Sequence, residues 1–196
     1  HKGNPELTPE KVQSIEMAYE HPHSKSLAWS ISIFQNRYEN MIDFVYDIPV
    51  LAINREGITG TGFEFQFRWK FFENLDITST FAYLDMKDRS GSPILYRSKN
   101  RGQLFINYQH NLINIQVGIQ AWSRQIYEDF LDDNHFGFPI RELPDRVITE
   151  ISLSKEMRTF TTSIRCSNLF DTQYELIQDF PMPGRNWQLS LTKILN

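Results

Sequence analysis

Apolar and polar side chains alternate strictly along several segments of the chain, and this pattern limits most what the chain can fold into. The segment LAWSISIF, beginning at Leu27, places an apolar residue at every second position. GFEFQFRW, beginning at Gly62, sets four aromatic rings against Glu64, Gln66 and Arg68. Successive side chains of a strand point to opposite faces, whereas a helix would scatter these rings around its axis. Both segments are therefore predicted to be strands with one apolar and one polar face.

The same alternation recurs along the whole chain and predicts about nine strands. The first covers residues 12–20 and the last residues 185–195. A short helix over residues 9–18 with Thr8 as N-cap is the competing interpretation of the first segment. Its apolar residues alternate at a period of two, however, so a strand is favoured. The chain is predicted to be all-β.

The connections between the predicted strands alternate between short and long. Four are tight, with the sequences HPHSK, FFEN, QHNL and KEMR, and four are long, at residues 36–52, 87–99, 124–146 and 168–184. An antiparallel meander with short turns at one end and long loops at the other is the plan of an outer-membrane β-barrel. A soluble sandwich or a lipocalin-like barrel shows the same alternation with its apolar face inward, so these alternatives stay open at this point.

Charge and cysteine content argue against several classes of function. A formal net charge of −4 offers no basic surface for nucleic acid. Cys166 is the single cysteine, so no internal disulfide or zinc cluster is expected. His21 and His23 lie in a predicted turn, and Asp132 with Asp133 supplies too few oxygens for calcium. We expect no catalytic residue, no metal and no cofactor, and the chain is not predicted to be an enzyme.

Counting strands places the two ends of the chain. The first strand precedes a short turn and the last follows a long loop, so both run toward the short-turn end. The segment GNPELTPE, which precedes the first strand, is then expected at the long-loop end. A complete single-chain bacterial barrel has an even number of strands. About nine strands in this arrangement are therefore expected to be the back part of a larger barrel, with the C-terminus in the periplasm.

Three motifs resemble, in order and spacing, the C-terminal part of TonB-dependent outer-membrane receptors, and cobalamin and siderophore transporters are the most similar kinds. The resemblance covers almost the whole chain. The motifs are GNPELTPE at residues 3–10, NREGITGTGFEFQF at residues 54–67, and NLFDTQYE with PMPGRNWQLSL at residues 168–175 and 181–191.

This resemblance implies a barrel of about 22 strands with an N-terminal plug in its lumen, of which residues 1–196 would supply the last nine strands without the plug. It also implies import of a scarce nutrient such as an iron-siderophore, cobalamin or haem, driven by the TonB complex through the missing N-terminal part. Outer-membrane lipid, lipopolysaccharide and a small-molecule ligand are the other expected partners. The alternatives are a non-transporting structural or adhesin-like barrel, a split or decayed receptor, and a soluble β-barrel binder of small lipophiles.

The motif residues are predicted to have structural roles. Prolines keep the residues before them extended, glycines suit a bulge, a bend or close approach of another backbone, and Asn or Asp suits a turn. Phe170 and Tyr174 are expected to pack at the rim. The usual aromatic C-terminal residue of the family is replaced by Asn196. The motif residues are Gly3, Asn4, Pro5, Leu7, Pro9, Glu10, Gly57, Gly60, Gly62, Glu64, Asn168, Leu169, Phe170, Asp171, Tyr174, Pro183, Gly184 and Arg185.

The long loop at residues 124–146 is the first candidate for ligand binding, because its aromatic rings alternate with charged side chains. The competing interpretation is that the rings pack together and anchor the loop. Arg97, Lys99 and Arg101, near the preceding long loop, suit an anionic siderophore and equally the phosphates of lipopolysaccharide. The candidate ligand-binding residues are Arg97, Arg124, Tyr127, Asp129, Phe130, His135, Phe136 and Phe138.

Overall fold

The computed structural model describes residues 4–21, 24, 26–45, 51–129 and 139–193, and all regular structure in these ranges is β. No helix in these ranges is long and apolar enough to cross a membrane. The strands are β1 (Lys11–His21), β2 (Leu27–Glu39), β3 (Met41–Val45), β4 (Leu51–Arg55), β5 (Ile58–Phe72), β6 (Leu75–Lys87), β7 (Asn100–Gln109), β8 (Asn114–Trp122), β9 (Gln125–Glu128), β10 (Ile140–Leu143), β11 (Arg146–Glu156), β12 (Phe160–Ser167), β13 (Glu175–Ile177), β14 (Phe180–Pro181) and β15 (Asn186–Lys193).

Nine of these strands form one antiparallel sheet in the order β1-β2-β5-β6-β7-β8-β11-β12-β15. Each strand pairs with the sheet strand that follows it along the chain, so the sheet is a meander. This confirms the predicted all-β class and the predicted number of strands. Three short turns, between β5 and β6, β7 and β8, and β11 and β12, lie at one end of the sheet, as the sequence predicts.

The other six strands form three small hairpins, β3-β4, β9-β10 and β13-β14, at the opposite end of the sheet. Five of them lie within three segments that the sequence analysis treats as long loops without strands, and β4 begins in one of these segments and ends three residues after it. The difference arises because each hairpin strand has at most five residues, too few for alternation to be recognised. Residues 46–50 and 130–138, between the strands of two hairpins, lie outside the described ranges.

Strand register gives the sheet one apolar and one polar face. A single row on the apolar face crosses eight strands, through Leu27, Trp69, Ile77, Ile106, Val117, Ile151, Cys166 and Trp187. A row on the polar face joins Ser30, Gln66, Thr80, Gln103 and Gln120. The alternation seen in the sequence therefore continues across the sheet, not only along its strands.

The apolar face is not covered by a second layer of described residues. Even on strands inside the sheet, Ile33 is 54 % exposed and Val147 is 52 % exposed. Burying apolar surface stabilises a protein by about 25 cal/mol per Å². If this face were in contact with water, its side chains would not contribute that free energy. This arrangement opposes a soluble sandwich, in which the apolar face would be buried, and it fits the wall of a transmembrane barrel.

At the hairpin end, neighbouring strands of the sheet stop at different heights. Tyr83 is the last residue of β6 that pairs with β7, where its partner is Asn100, whereas β6 and β5 remain paired up to Lys87 and Thr59. The β5-β6 pair thus extends beyond β7 by about 13 Å, at roughly 3.3 Å per residue.

Gly62 is required by close approach of its neighbours. A Cβ at this position would overlap the carbonyl oxygen of Tyr83 and lie 2.8 Å from the ring of Phe34. Of the three predicted reasons for glycine in the long strand, a bulge, a bend or close approach of another backbone, the contact with the Tyr83 carbonyl fits the third.

We expect Gly62→Ala to destabilise the protein, because the added Cβ has no space. Gly102→Ala is the matched control, since no atom lies within 4 Å of a Cβ built at Gly102. Overpacking costs about 1–3 kcal/mol, so the denaturant midpoint of the native protein should fall in Gly62→Ala and change little in Gly102→Ala. Equal midpoints for the two variants would contradict this explanation.

Candidate ligand-binding site

Two of the long connections are packed together at the hairpin end of the sheet. Tyr96, between β6 and β7, has a φ of 55°, and its N–H donates to the carbonyl oxygen of Ile126 at 2.8 Å. Gln125 donates from Nε2 to the carbonyl oxygen of Tyr96 at 3.3 Å. The rings of Tyr96 and Tyr127 stack with their centroids 6.1 Å apart. The β6-β7 connection and the β9-β10 hairpin therefore form one packed unit.

Asp129 joins this unit to a third connection. Its side chain is buried, and one oxygen lies 2.6 Å from Nε of Arg141 in β10. The other oxygen accepts a hydrogen bond from Nε2 of Gln178, between β13 and β14, at 3.0 Å. A buried carboxylate is tolerated when it is paired and hydrogen-bonded in this way. The β9-β10 and β13-β14 hairpins are thus held together by one carboxylate.

Arg146, the first residue of β11, supports the packed connections from the sheet. Its side chain is buried, and its guanidinium carbon lies 5.1 Å from the ring centroid of Trp122. Nη1 donates to Oε1 of Gln125 at 3.3 Å. This cation–π contact and hydrogen bond fix the base of the β9-β10 hairpin.

The candidate binding residues separate into buried and exposed groups. Tyr127 and Asp129 are buried between the connections, which agrees with the anchoring interpretation, and their contact with a ligand stays a prediction. Burial, with the nearby charge of Asp129 as a smaller cause, raises the pKa of the Tyr127 hydroxyl. Arg97 and Arg124 are exposed, and Nη1 of Arg124 lies 3.0 Å from Oε2 of Glu142. The remaining candidates lie outside the described residues: Phe130, His135, Phe136 and Phe138.

The basic residues near the first of these connections divide between the two faces of the sheet. Arg101 pairs with Ala82 and Trp122 on the polar face and lines a cavity of about 330 Å³ with Glu64, Gln66 and others. Lys99 precedes β7, and its Nζ lies 2.7 Å from Asp85, whose strand position belongs to the apolar face. The sequence analysis assigns these two cations to one group, whereas the structure places them on opposite sides of the sheet.

The first motif lies at the hairpin end of the sheet, as strand counting predicts. Asn4 donates from Nδ2 to the carbonyl oxygen of Ala52 at 2.9 Å. The N–H of Thr8 donates to Oδ1 of Asn54 at 2.8 Å, and Nδ2 of Asn54 donates to the carbonyl oxygen of Asn40 at 2.7 Å. Leu7 is half-buried, whereas Pro5, Pro9 and Glu10 are exposed, and Gly3 lies outside the described residues. The motif therefore attaches the start of β1 to the β3-β4 hairpin.

The NLFDTQYE motif forms a turn stabilised by its own side chains, as predicted. Asn168 is 4 % exposed; its Nδ2 donates to the carbonyl oxygens of Thr172 at 2.9 Å and Pro183 at 3.3 Å, and its Oδ1 accepts from the N–H of Thr172 at 2.9 Å. Asp171 accepts from the N–H of Arg185 at 2.7 Å, and Leu169 bonds through its N–H to Thr149.

Phe170 is 71 % exposed, so its predicted packing at the rim is not found against the described residues. It lies between Asn168 and Asp171, which both have positive φ, and the turn directs its ring outward. Tyr174 is half-buried. Gly57 has a φ of 70° immediately before β5, Gly60 lies within β5, and Gly184 lies next to the carboxylate of Asp171.

Sequence reasoning does not find three residues that complete the site: Tyr96, Arg141 and Gln178. Gln178 is 49 residues from its partner Asp129, so no local pattern connects them. The positive φ of Tyr96 is unusual for a residue other than glycine and has no sequence signal. Within the described ranges, no group of three His, Cys, Asp or Glu side chains is arranged to hold a metal ion.

The described strands define a class of protein, the antiparallel wall of a membrane β-barrel with connected loops at one end. A family model described as "TonB dependent receptor-like, beta-barrel" matches residues 1–169. The chain belongs to this family.

Solved structures support the same fold. The ferripyoverdine receptor of Pseudomonas aeruginosa is 13 % identical to this chain, with a TM-score of 0.77. The match covers 94 % of this chain and 27 % of the receptor chain. The siderophore receptor PirA from Acinetobacter baumannii is 18 % identical with a TM-score of 0.77, and the match covers 97 % of this chain and 32 % of PirA. The copper transporter OprC is 13 % identical with a TM-score of 0.73, and the match covers 95 % of this chain and 32 % of OprC. The chain thus spans less than a third of the length of each of these structures.

We expect Asn168→Ala to destabilise the native protein by roughly 1–3 kcal/mol, because the buried Asn168 carboxamide makes three hydrogen bonds to the backbone of Thr172 and Pro183 that the variant loses. Phe170→Ala, in the same turn, removes an exposed ring and should cost much less. Thermal unfolding of the two variants tests this difference. Similar losses of stability in both would contradict the assigned role of Asn168.

Asp129→Ala is expected to loosen two hairpins at once. Hydrogen exchange of the backbone amides at residues 125–129 and 175–178 should accelerate by about tenfold or more, as loss of a charged hydrogen bond predicts. Arg124→Ala is the control, because it breaks an exposed ion pair worth less than about 1 kcal/mol. Unchanged exchange at residues 175–178 in Asp129→Ala would show that Asp129 does not connect the hairpins.

Proposed function

We propose that this chain supplies wall strands and part of the extracellular binding surface of an outer-membrane active-transport receptor. The observation that carries the proposal is the apolar face, which extends across all nine strands of the sheet without a covering layer of described residues, in a chain of this family. On β5, this face carries Phe63, Phe65, Phe67 and Trp69, and Phe72 opposite Leu75 beyond a β-bulge. These positions span about ten residues, the length that a tilted strand needs to cross a bilayer.

The proposed orientation places the three hairpins outside the cell and the short turns in the periplasm. Bacterial barrels have short periplasmic turns and longer extracellular loops, and the described turns and hairpins lie at opposite ends of the sheet. The last strand then runs toward the periplasm. The remaining strands and the plug would come from other parts of the receptor, and the plug segment would receive energy from the TonB complex.

The proposed ligand is a scarce nutrient carried as a small complex, such as an iron-siderophore, cobalamin or haem. Arg97 and Arg124 are exposed near the packed connections and suit an anionic group on such a ligand. The polar-face cavity adds Arg101, Glu64 and Gln66 as hydrogen-bonding groups. Binding requires no covalent step, and the chain acts in this proposal as a transport receptor, not as an enzyme.

The test uses the full-length receptor isolated from the outer membrane of its own cells, with ferric siderophores, cyanocobalamin and haemin as probes. We expect one probe to bind, and Arg97→Gln with Arg124→Gln to weaken its binding by about tenfold, as loss of charged hydrogen bonds predicts. Lys155→Gln, near the short turns, is the matched charge control. Absence of binding and uptake for every probe would favour a structural barrel, and recovery from the soluble fraction would overturn the proposal.

A further inference from the structure

A buried cation at the base of the β9-β10 hairpin has no anionic partner among the described residues. Arg146 is 5 % exposed, and its Nε is buried without a hydrogen-bond partner. Its Nη1 donates to Oε1 of Gln125, which carries no charge. The adjacent carboxylate, Asp145, accepts instead from the N–H of Arg124, and no acidic side chain in the described ranges forms an ion pair with Arg146. Such a charge is strongly destabilising unless an anion compensates it.

The neighbouring charge on the polar face is a second cation. Arg101 and Arg146 both pair with Trp122, from opposite sides, so their strands are separated by about 10 Å. Arg101 is exposed and lines the polar-face cavity of about 330 Å³ together with Trp122 and Glu64. Glu64 lies two strands beyond Arg101, on the side away from Arg146. The row therefore offers a carboxylate next to Arg101 and none next to Arg146.

We propose that Arg146, with Arg101 as a second donor, binds an oxyanion on the polar face at the base of the β9-β10 hairpin. A carboxylate or a phosphate group matches the guanidinium fork in geometry as well as in charge. The anion comes either from an acidic side chain elsewhere in the receptor or from free phosphate. Its role is structural, because a transported nutrient would leave Arg146 uncompensated each time it departed.

The bound anion orders the packed connections through a short chain of hydrogen bonds. Arg146 donates to Gln125 at 3.3 Å, and Gln125 donates to the carbonyl oxygen of Tyr96 at 3.3 Å. An anion on Arg146 fixes the guanidinium that holds Gln125, and Gln125 in turn holds the β6-β7 connection. Hydrogen exchange of the backbone amides at residues 96 and 125–128 therefore reports on the occupancy of the site.

The first measurement tests for a free anion, with the full-length receptor dialysed in detergent against phosphate-free buffer. Hydrogen exchange is compared in sodium phosphate and in sodium chloride of equal ionic strength. If the anion is free, phosphate should slow exchange at residues 125–128 by about tenfold, as a charged hydrogen bond predicts, and Arg146→Met should lose this response. Arg165→Met is the matched control, because Arg165 lies on the same face with its own partner, Glu150, at 2.6 Å.

The second measurement tests for a carboxylate of the receptor itself, in which case phosphate has no effect on the wild type. Arg146→Lys supplies an amine that a carbodiimide can join directly to a paired carboxylate. Peptide mass spectrometry should then find position 146 linked to an aspartate or glutamate other than Asp145. Arg165→Lys is the positive control and should link to Glu150, its ion-pair partner.

Heat-modifiable gel migration checks that each variant is folded. Absence of both a phosphate response in the wild type and a cross-link at position 146 would overturn the anion site, as would an equal phosphate response in Arg146→Met. Higher thermal stability of Arg146→Met than of the wild type would also overturn it, because removal of an uncompensated buried charge stabilises a protein. These outcomes leave the receptor proposal intact, since none of them measures nutrient binding or uptake.

Discussion

The ladder of backbone hydrogen bonds between nine antiparallel strands is the constraint on which the rest of the structure depends. Lipid offers no partner to a free N–H or C=O, so a membrane wall must satisfy these groups between its own strands. The same ladder fixes which side chains share a face, since a slip of one residue would exchange the two faces of a strand. The continuous row from Leu27 to Trp187 exists because no register shift interrupts the sheet at this level; the shift between Lys70 and Phe72, where β5 pairs with β6, lies beyond it toward the short turns.

Stability at the hairpin end comes from different interactions. There the connections leave the sheet, so side chains must satisfy polar groups that the ladder no longer pairs. Asn54 bonds to the N-terminal segment and to Asn40, Asp129 to two hairpins, and Asn168 to its own turn. Buried polar groups of this kind are satisfied in native proteins, and each lost partner is costly. The loops are consequently ordered by a few carboxamides and carboxylates together with buried apolar side chains, among them Ile94, Tyr127 and Leu143.

The sequence predicts the sheet well because alternation is a local property that burial then reinforces. Strand number, turn positions and the two faces all follow from residues read in order, as GFEFQFRW illustrates. The tie between Asp129 and Gln178 has no such signal, because it depends on how distant loops fold over the sheet. Lys99 and Arg101 show a second limit. Two residues at a spacing of two share a face only within a strand, and Lys99 lies in the bend before β7.

The height difference between the β5-β6 pair and β7 gives the rim of this wall a step. On the low side, the space above β7 and β8 is filled by the packed connections around Tyr96 and Tyr127, while on the high side the strands themselves continue. The two flanks of this rim are therefore held differently: β5 and β6 by their backbone ladder, and the packed connections by side-chain hydrogen bonds and ring contacts. The two meet where Lys87 of β6 bridges to Pro93 and the Ile94 N–H donates to the carbonyl oxygen of Met86, so the connection begins as an extension of the ladder.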